Sequence, residues 1–153
     1  MVVGLILFVI VINLVVFFIK KNLTMNQMVH IWFFTIALQL TFDIFIDLKY
    51  HGYWYISQGI DWEAFPAYTI LVPPVNILFL NWFPFKRSFK KKFLYFAVWV
   101  IAILIYESIA QLPPPWGYFE YGWWRLGYSA VLDPILLLIL IAYYKWIQVI
   151  EKK

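Results

Sequence analysis

Five apolar runs, separated by polar or aromatic stretches, divide the chain. They cover about 2–19, 28–47, 64–83, 93–112 and 128–147. Each has the roughly 17 to 20 residues that an α-helix needs to cross about 30 Å of hydrocarbon. The period-two alternation of barrel strands is absent from them. Helices are expected instead, because lipid offers no partner to backbone N–H and C=O groups. Lys20-Lys21 closes the first run, and the polar turn Asn22–Gln27 can cap the second. Pro113-Pro114-Pro115 ends the fourth, since proline cannot continue a helix. The first run has no positive n-region and no small-x-small cleavage site after it. It therefore predicts a retained helix, not a cleaved signal peptide.

Composition sharpens this picture. The 153 residues suffice for one domain, 1–153, and only 13% are charged while 65% are hydrophobic. Soluble domains average about 25% charged, so this chain lacks the residues to cover a water-facing surface. With no cysteine, disulfides, thiolate metal sites and thiol nucleophiles are excluded. The net charge of +4 does not point to nucleic acid, because the cations flank the apolar runs.

Those cations set an expected orientation. Lys20, Lys21, Lys86, Arg87, Lys90, Lys91, Lys92, Lys145, Lys152 and Lys153 fall on one side, against Lys49 and Arg125 on the other. The positive-inside rule makes the first side cytoplasmic. The expectation is an all-α membrane protein, a bundle of five transmembrane helices with its N-terminus outside and its C-terminus cytoplasmic. It is multi-pass in the cell membrane, with lipid as its partner. The two outer loops are aromatic, carrying Tyr50, Tyr53, Trp54, Tyr55 and Trp62, then Trp116, Tyr118, Tyr121, Trp123 and Trp124. Such side chains favour the headgroup layer, where both loops are expected to lie. The basic loop Phe85–Lys92 fits attraction to anionic lipid.

Charged groups inside the runs cost at least a few kcal/mol, so each needs a reason. Asp43, Glu107 and Asp133 stand out. At about 1.5 Å per residue, Asp43 and Glu107 lie roughly 21 to 23 Å above the cytoplasmic ends of their helices. Asp133 lies about 8 Å below the outer end of its own, nearly the same level. Gln39, Asp43 and Asp47 recur every four residues, as do Glu107 and Gln111, so each set forms one polar stripe. Arg125, Lys49 and His51 are the nearby cationic or donor groups on the outer side. Two readings stay open. The carboxyls hold helices together, with Arg125 paired to one of them, at about 1 kcal/mol per polar contact. Alternatively they form a site for a proton or cation entering from outside, since like charges in low dielectric disfavour joint ionisation.

Smaller signals follow. Pro73-Pro74, near the middle of the third run, should kink it, and Asn76 or Asn81 could satisfy the freed carbonyls. His30 and His51 fall on opposite sides and cannot share a metal. Asn22-Leu23-Thr24 matches a glycosylation acceptor but falls on the cytoplasmic side. No motif for a cofactor, a phosphate or a catalytic triad is present, so neither cofactor nor catalysis is expected. A weak echo links two hairpins: Asp43 or Glu107, then His51-Gly52-Tyr53 or Trp116-Gly117-Tyr118, then Pro73-Pro74 or Pro134. Aromatic loops around glycine are common in membrane proteins, and coincidence is the favoured explanation.

Leu78-Phe79, Asn81-Trp82-Phe83-Pro84, the basic loop, Tyr95, Trp99, Glu107, Trp124 and Ser129 form a recognisable set. In these residues the chain resembles a family of small uncharacterised multi-spanning membrane proteins of Bacillus- and Clostridium-type spore-forming bacteria. The resemblance covers roughly the C-terminal half, with 43–55 upstream, and implies a membrane bundle without implying an activity. Pro73-Pro74 with Phe79 and Trp82 is also similar to a segment of tryptophan-rich sensory proteins. Their later Trp/Asn-rich helix and Pro-Tyr-Leu-type fifth helix have no counterpart here, which puts a porphyrin or sterol pocket in doubt. Three function classes remain: a small transport, channel or ion-responsive component; an assembly module for other membrane proteins or a second copy; and an enzyme acting on lipid or isoprenoid.

Overall fold

The computed structural model describes residues 2–60 and 62–152; Lys153, one of the cations counted above, lies outside them. Five helices and a small ribbon make up the described fold. Helix α1 is Val2–Phe18, and α2 is Met25–Asp43, continued by a π-helical turn over Ile44–Lys49. A π turn over Ala67–Leu71 leads into α3, Val72–Trp82, followed by α4, Phe89–Ala110, and α5, Leu126–Ile150. Between helices, β1 (Tyr53–Tyr55) pairs antiparallel with β2 (Phe119–Tyr121), with Tyr53 opposite Tyr121 and Tyr55 opposite Phe119. The described fold is mostly helical, as expected, and the three-residue strands of the ribbon are an addition to the all-α plan. Three helices, Met25–Lys49, Phe89–Ala110 and Leu126–Ile150, are long and apolar enough to cross a membrane, while Val2–Phe18 and Ala67–Trp82 are apolar but shorter.

Local sequence explains most boundaries. Thr24 opens α2 with a capping box: its hydroxyl accepts from the Gln27 N–H at 3.1 Å, and the Gln27 side chain accepts from the Thr24 N–H at 3.2 Å. Pro73 and Pro74 lie near the middle of the continuous helical segment Ala67–Trp82, as expected, and in the first α-helical turn after its π turn, where a missing N–H costs least. The π turn just before them holds the carbonyls that the prolines leave without donors. The Ile70 carbonyl, four residues before Pro74, accepts instead from Asn13 of α1 at 2.8 Å. Asn76 and Asn81 do not serve this break. Asn76 donates to the Thr35 hydroxyl of α2 at 2.9 Å, and Asn81 works at the far end of α3.

Hydrogen bonds divide the bundle into two ends. At the ribbon end, the N–H groups of Gly122 and Trp124 donate to the Gly52 carbonyl at 2.8 and 2.9 Å, and the Gly4 N–H reaches the Pro115 carbonyl. A Cβ on Gly4 would stand 1.7 Å from the Trp116 carbonyl oxygen, so only glycine lets α1 approach this loop. At the opposite end the Asn22 N–H donates to Asn81 Oδ1 at 2.7 Å, and Asn81 Nδ2 donates to the Lys20 carbonyl. Lys20, Lys21, Lys86, Arg87, Lys90, Lys91, Lys92, Lys145 and Lys152 belong to this basic end, and Lys49 and Arg125 to the ribbon end.

Two hydrophobic clusters follow the same division. One gathers Leu5, Leu71, Ala110, Tyr118, Phe119 and Trp124 under the ribbon. The other gathers Ile31, Ile77, Phe79, Leu80, Leu137 and Tyr144 towards the basic end. Phe79 is fully buried among Phe83, Tyr95, Phe96 and Trp99, and Tyr95 donates to its carbonyl at 2.9 Å. That bond serves one of the carbonyls a helix end leaves open, since Pro84 forbids continuing α3. By contrast α4 buries only Ala110 fully, and Phe93, Val98, Ile101 and Ile105 stand exposed.

Beyond the end of α5, Glu151 joins the basic end to the start of α2. Its carboxylate accepts from Asn26 at 2.8 Å, from Gln27 and from Thr24, and these donors, Asn26 foremost, hold it below the usual carboxylate range. A depressed folded-state value means that the unfolded chain takes up the proton first. The contribution to stability is therefore complete above the unfolded value of about 4.3 and is lost as pH falls through the folded one. We expect the thermal midpoint of the native chain to drop relative to that of Glu151→Gln as pH is lowered from about 6 to about 3. Parallel midpoint curves would mean that the carboxylate contributes nothing.

Candidate functional site

A cavity of about 370 Å³ lies among the helices beneath the ribbon. Leu38, Leu71, Val75, Ile103 and Leu136 contribute aliphatic walls, and Tyr53, Tyr55, Tyr106, Tyr118 and Trp99 contribute aromatic ones. Such a volume and balance suit a small-molecule pocket, in which a few polar groups orient a ligand within an apolar enclosure. Its polar side chains come from two helical stripes and the ribbon. Along α2, Thr35 and Gln39 line the cavity and Asp43 and Asp47 follow at the same spacing of four. Along α4, Trp99, Ile103 and Glu107 share a face, and along α5 Ser129 and Asp133 do.

The three acids expected at one level divide into two groups. Asp43, 3% exposed, accepts from the Tyr53 hydroxyl at 2.6 Å and from Gln39 Nε2 at 3.0 Å. Gln39 and Tyr53 line the cavity, so Asp43 meets it through them. Asp47, one turn on, is 1% exposed and accepts from Tyr68 at 3.5 Å, with its Oδ1 buried and unpartnered. Both neighbours sit in the π turns that flank the ribbon.

Glu107 and Asp133 form the second group, and both line the cavity directly. Glu107 accepts from the Ser129 hydroxyl at 2.6 Å and from the Tyr121 hydroxyl. Trp124 Nε1 donates in turn to Ser129 at 2.9 Å, which fixes the direction of the chain Trp124 to Ser129 to Glu107. Asp133 lies one turn beyond Ser129, close enough to Glu107 for their charges to repel. Among the described residues no donor reaches it, and its Oδ2 is buried without a partner. Asp133 is the least satisfied charge in the site.

Arg125 does not resolve this. It is exposed at the start of α5 and forms no ion pair with Asp43, Glu107 or Asp133 among the described residues, so the expected neutralising pair is absent. Gln111 caps the end of α4 and is half-buried. The aromatic loops are also corrected in part. Trp62, Trp116 and Trp123 stand exposed, but Tyr53, Tyr118 and Trp124 fold inward to roof the cavity.

The site residues that sequence reasoning missed are of two kinds. Thr35 and Ser129 extend the stripes by one turn and were legible from spacing. Tyr68 lies at the start of the third run, while Tyr53 and Tyr121 come from the aromatic loops, and no periodicity marks which loop tyrosines turn inward. Glu107, Trp124 and Ser129 of the resembling set are consecutive members of one hydrogen-bonded chain. Tyr95, Trp99 and Pro84 build the end of α3 and the packing beside it.

Opposite stability effects should separate the two groups. Tyr53→Phe removes the shorter bond to a buried carboxylate, and we expect it to cost about 1–3 kcal/mol in unfolding of the micelle-embedded protein. Asp133→Asn removes a charge that has no partner to lose, so stability should hold or rise. A loss in Asp133→Asn as large as in Tyr53→Phe would show that Asp133 is held by groups of the fold. Comparison with protein families, with curated proteins and with solved structures finds no match for the chain, so its functional reading rests on this geometry.

Proposed function

We propose that the chain spans the cell membrane five times, with its N-terminus outside and its C-terminus cytoplasmic. In this reading it is a small transport component whose ribbon-end cavity takes up a cation. The segregation of nine described cations at one end and two at the other supports the orientation. The 17 residues of α1 reach about 25 Å, enough to span with the flanking Lys20 and Lys21 at the interface. Exposed apolar side chains on α4 and α5 then face lipid, the expected partner.

One observation carries the functional reading. Glu107 and Asp133 share a cavity wall with no cation among the lining residues, and among the described residues no donor reaches Asp133, whose Oδ2 is buried. A carboxyl kept for helix association would be hydrogen-bonded, because an unpaired buried charge destabilises. Asp43 meets that description, with donors from Tyr53 and Gln39, and the structural reading fits it. Acids inside membrane bundles that face a cavity mark ion and proton pathways by default. The reading carries no catalytic step.

Two experiments test it. The chain lacks native cysteine, so single cysteines at Ser57 and at the exposed Glu120 should react with an impermeant thiol reagent in intact cells, and one at Ser88 should not. Reaction at Ser88 from outside would reverse the orientation. For transport, vesicles containing the purified protein should show proton or monovalent-cation flux that Asp133→Asn and Glu107→Gln reduce at least about tenfold. Flux that persists in both variants would return the two acids to a structural role.

A further inference from the structure

Resting on that reading, we propose that the cavity's ligand is a protonated amine bearing an apolar body, held at its nitrogen by Asp133 and Glu107. Four ligand classes can be weighed against the walls. An anion meets only like charge, because the charged lining residues are both acids and Arg125 stays outside. A neutral apolar molecule would fill the space but leave Asp133 without a donor, the condition that makes the empty site costly.

A bare metal ion fits poorly for a different reason. Among the described residues no group of three or more acidic or histidine side chains is placed to bind one. The aliphatic walls from Leu38, Leu71, Val75 and Leu136 would give a hydrated ion no replacement for its water shell. The volume of about 370 Å³ also belongs to the range of pockets that enclose organic molecules.

A protonated amine with an apolar body answers each feature. Its N–H groups give Asp133 the missing donor in a charge-assisted bond, and its charge offsets the repulsion between Asp133 and Glu107. Its body lies against the aliphatic walls, where burial contributes about 25 cal/mol per Å². Tyr55, Tyr106 and Trp99 line the same space, and aromatic rings attract a cation that meets their faces. Glu107 is held in place by Ser129 and Tyr121 and so acts as a positioned charge, while Asp133 supplies the open hydrogen-bonding position.

The test is equilibrium binding to the full chain in lipid nanodiscs, with empty discs as the partition control. Three matched probes are 2-(2-naphthyl)ethylammonium, its alcohol 2-(2-naphthyl)ethanol, and 2-naphthylacetate. Trp99 and Trp124 line the cavity, so tryptophan quenching reports occupancy. We expect the amine to bind at least about tenfold more tightly than the alcohol and the carboxylate not to bind measurably. Asp133→Asn and Glu107→Gln should each erase most of that preference, whereas Asp43→Asn should keep it. Equal affinity for amine and alcohol in the native chain overturns the proposal, as does a preference that survives in both cavity variants. Cation flux that depends on Asp133, without any amine preference, overturns this inference and leaves the transport reading standing. An Asp133-dependent amine preference without flux upholds it and removes the transport reading.

Discussion

Tyr53 and Tyr121 face each other across the two-stranded ribbon, and each donates a hydrogen bond to the acid of the helix that precedes it. Asp43 and Glu107 are thereby held at the ends of their helices, and the two helix–loop–helix hairpins are tied together by backbone. This is the constraint on which the ribbon half of the molecule depends. Main-chain groups in a loop that folds into an apolar environment need partners, and the ribbon supplies them. Once it forms, Tyr118, Phe119 and Trp124 turn inward and a roof closes over the space between the helices. The weak sequence echo between the hairpins does not account for this pairing: it matches Tyr53 with Tyr118, whereas the donor to Glu107 is Tyr121.

The opposite end uses a different solution to the same problem. Asn22, Asn81, Gln27 and Glu151 join three chain segments through side-chain amides and one carboxylate. Asn13 likewise serves the Ile70 carbonyl beside the proline pair. Amide side chains are suited to this work, because each offers donors and an acceptor without carrying charge into an apolar setting. Among the described residues the buried side-chain polar atoms without a partner are Asp47 Oδ1, Trp99 Nε1 and Asp133 Oδ2. Against that background an acid without donors is conspicuous, and natural proteins tolerate such groups mainly where function uses them.

Much of the helical plan was legible in the sequence. The second run, expected over 28–47, is Met25–Lys49 once the capping box and the π turn are included, and the fifth, expected over 128–147, is Leu126–Ile150. Those differences of a few residues arise at ends, where caps and π turns extend a helix past its apolar stretch. The period-four stripe Gln39, Asp43 and Asp47 was also legible, since helical periodicity is a local property. The partner of each acid was not. Arg125 is near in sequence to Ser129 and Asp133 but points elsewhere, and the donors to Asp43 and Glu107 come from loop tyrosines.

The sequence by itself determined that the chain carries five apolar helices, three of them of membrane length, to within a few residues where they lie, and which faces of α2 and α4 are polar. These follow from hydropathy, proline and cap residues, all of which act within a few positions along the chain. Only the tertiary structure decided that two aromatic loops pair, that the three acids divide into a satisfied group and an open one, and that a cavity separates the walls. Those outcomes depend on contacts between segments far apart in sequence, such as Tyr53 with Tyr121 and Asn13 with Ile70. Local pattern carries no information about which distant group will answer a buried polar atom, and in this chain that choice makes the site.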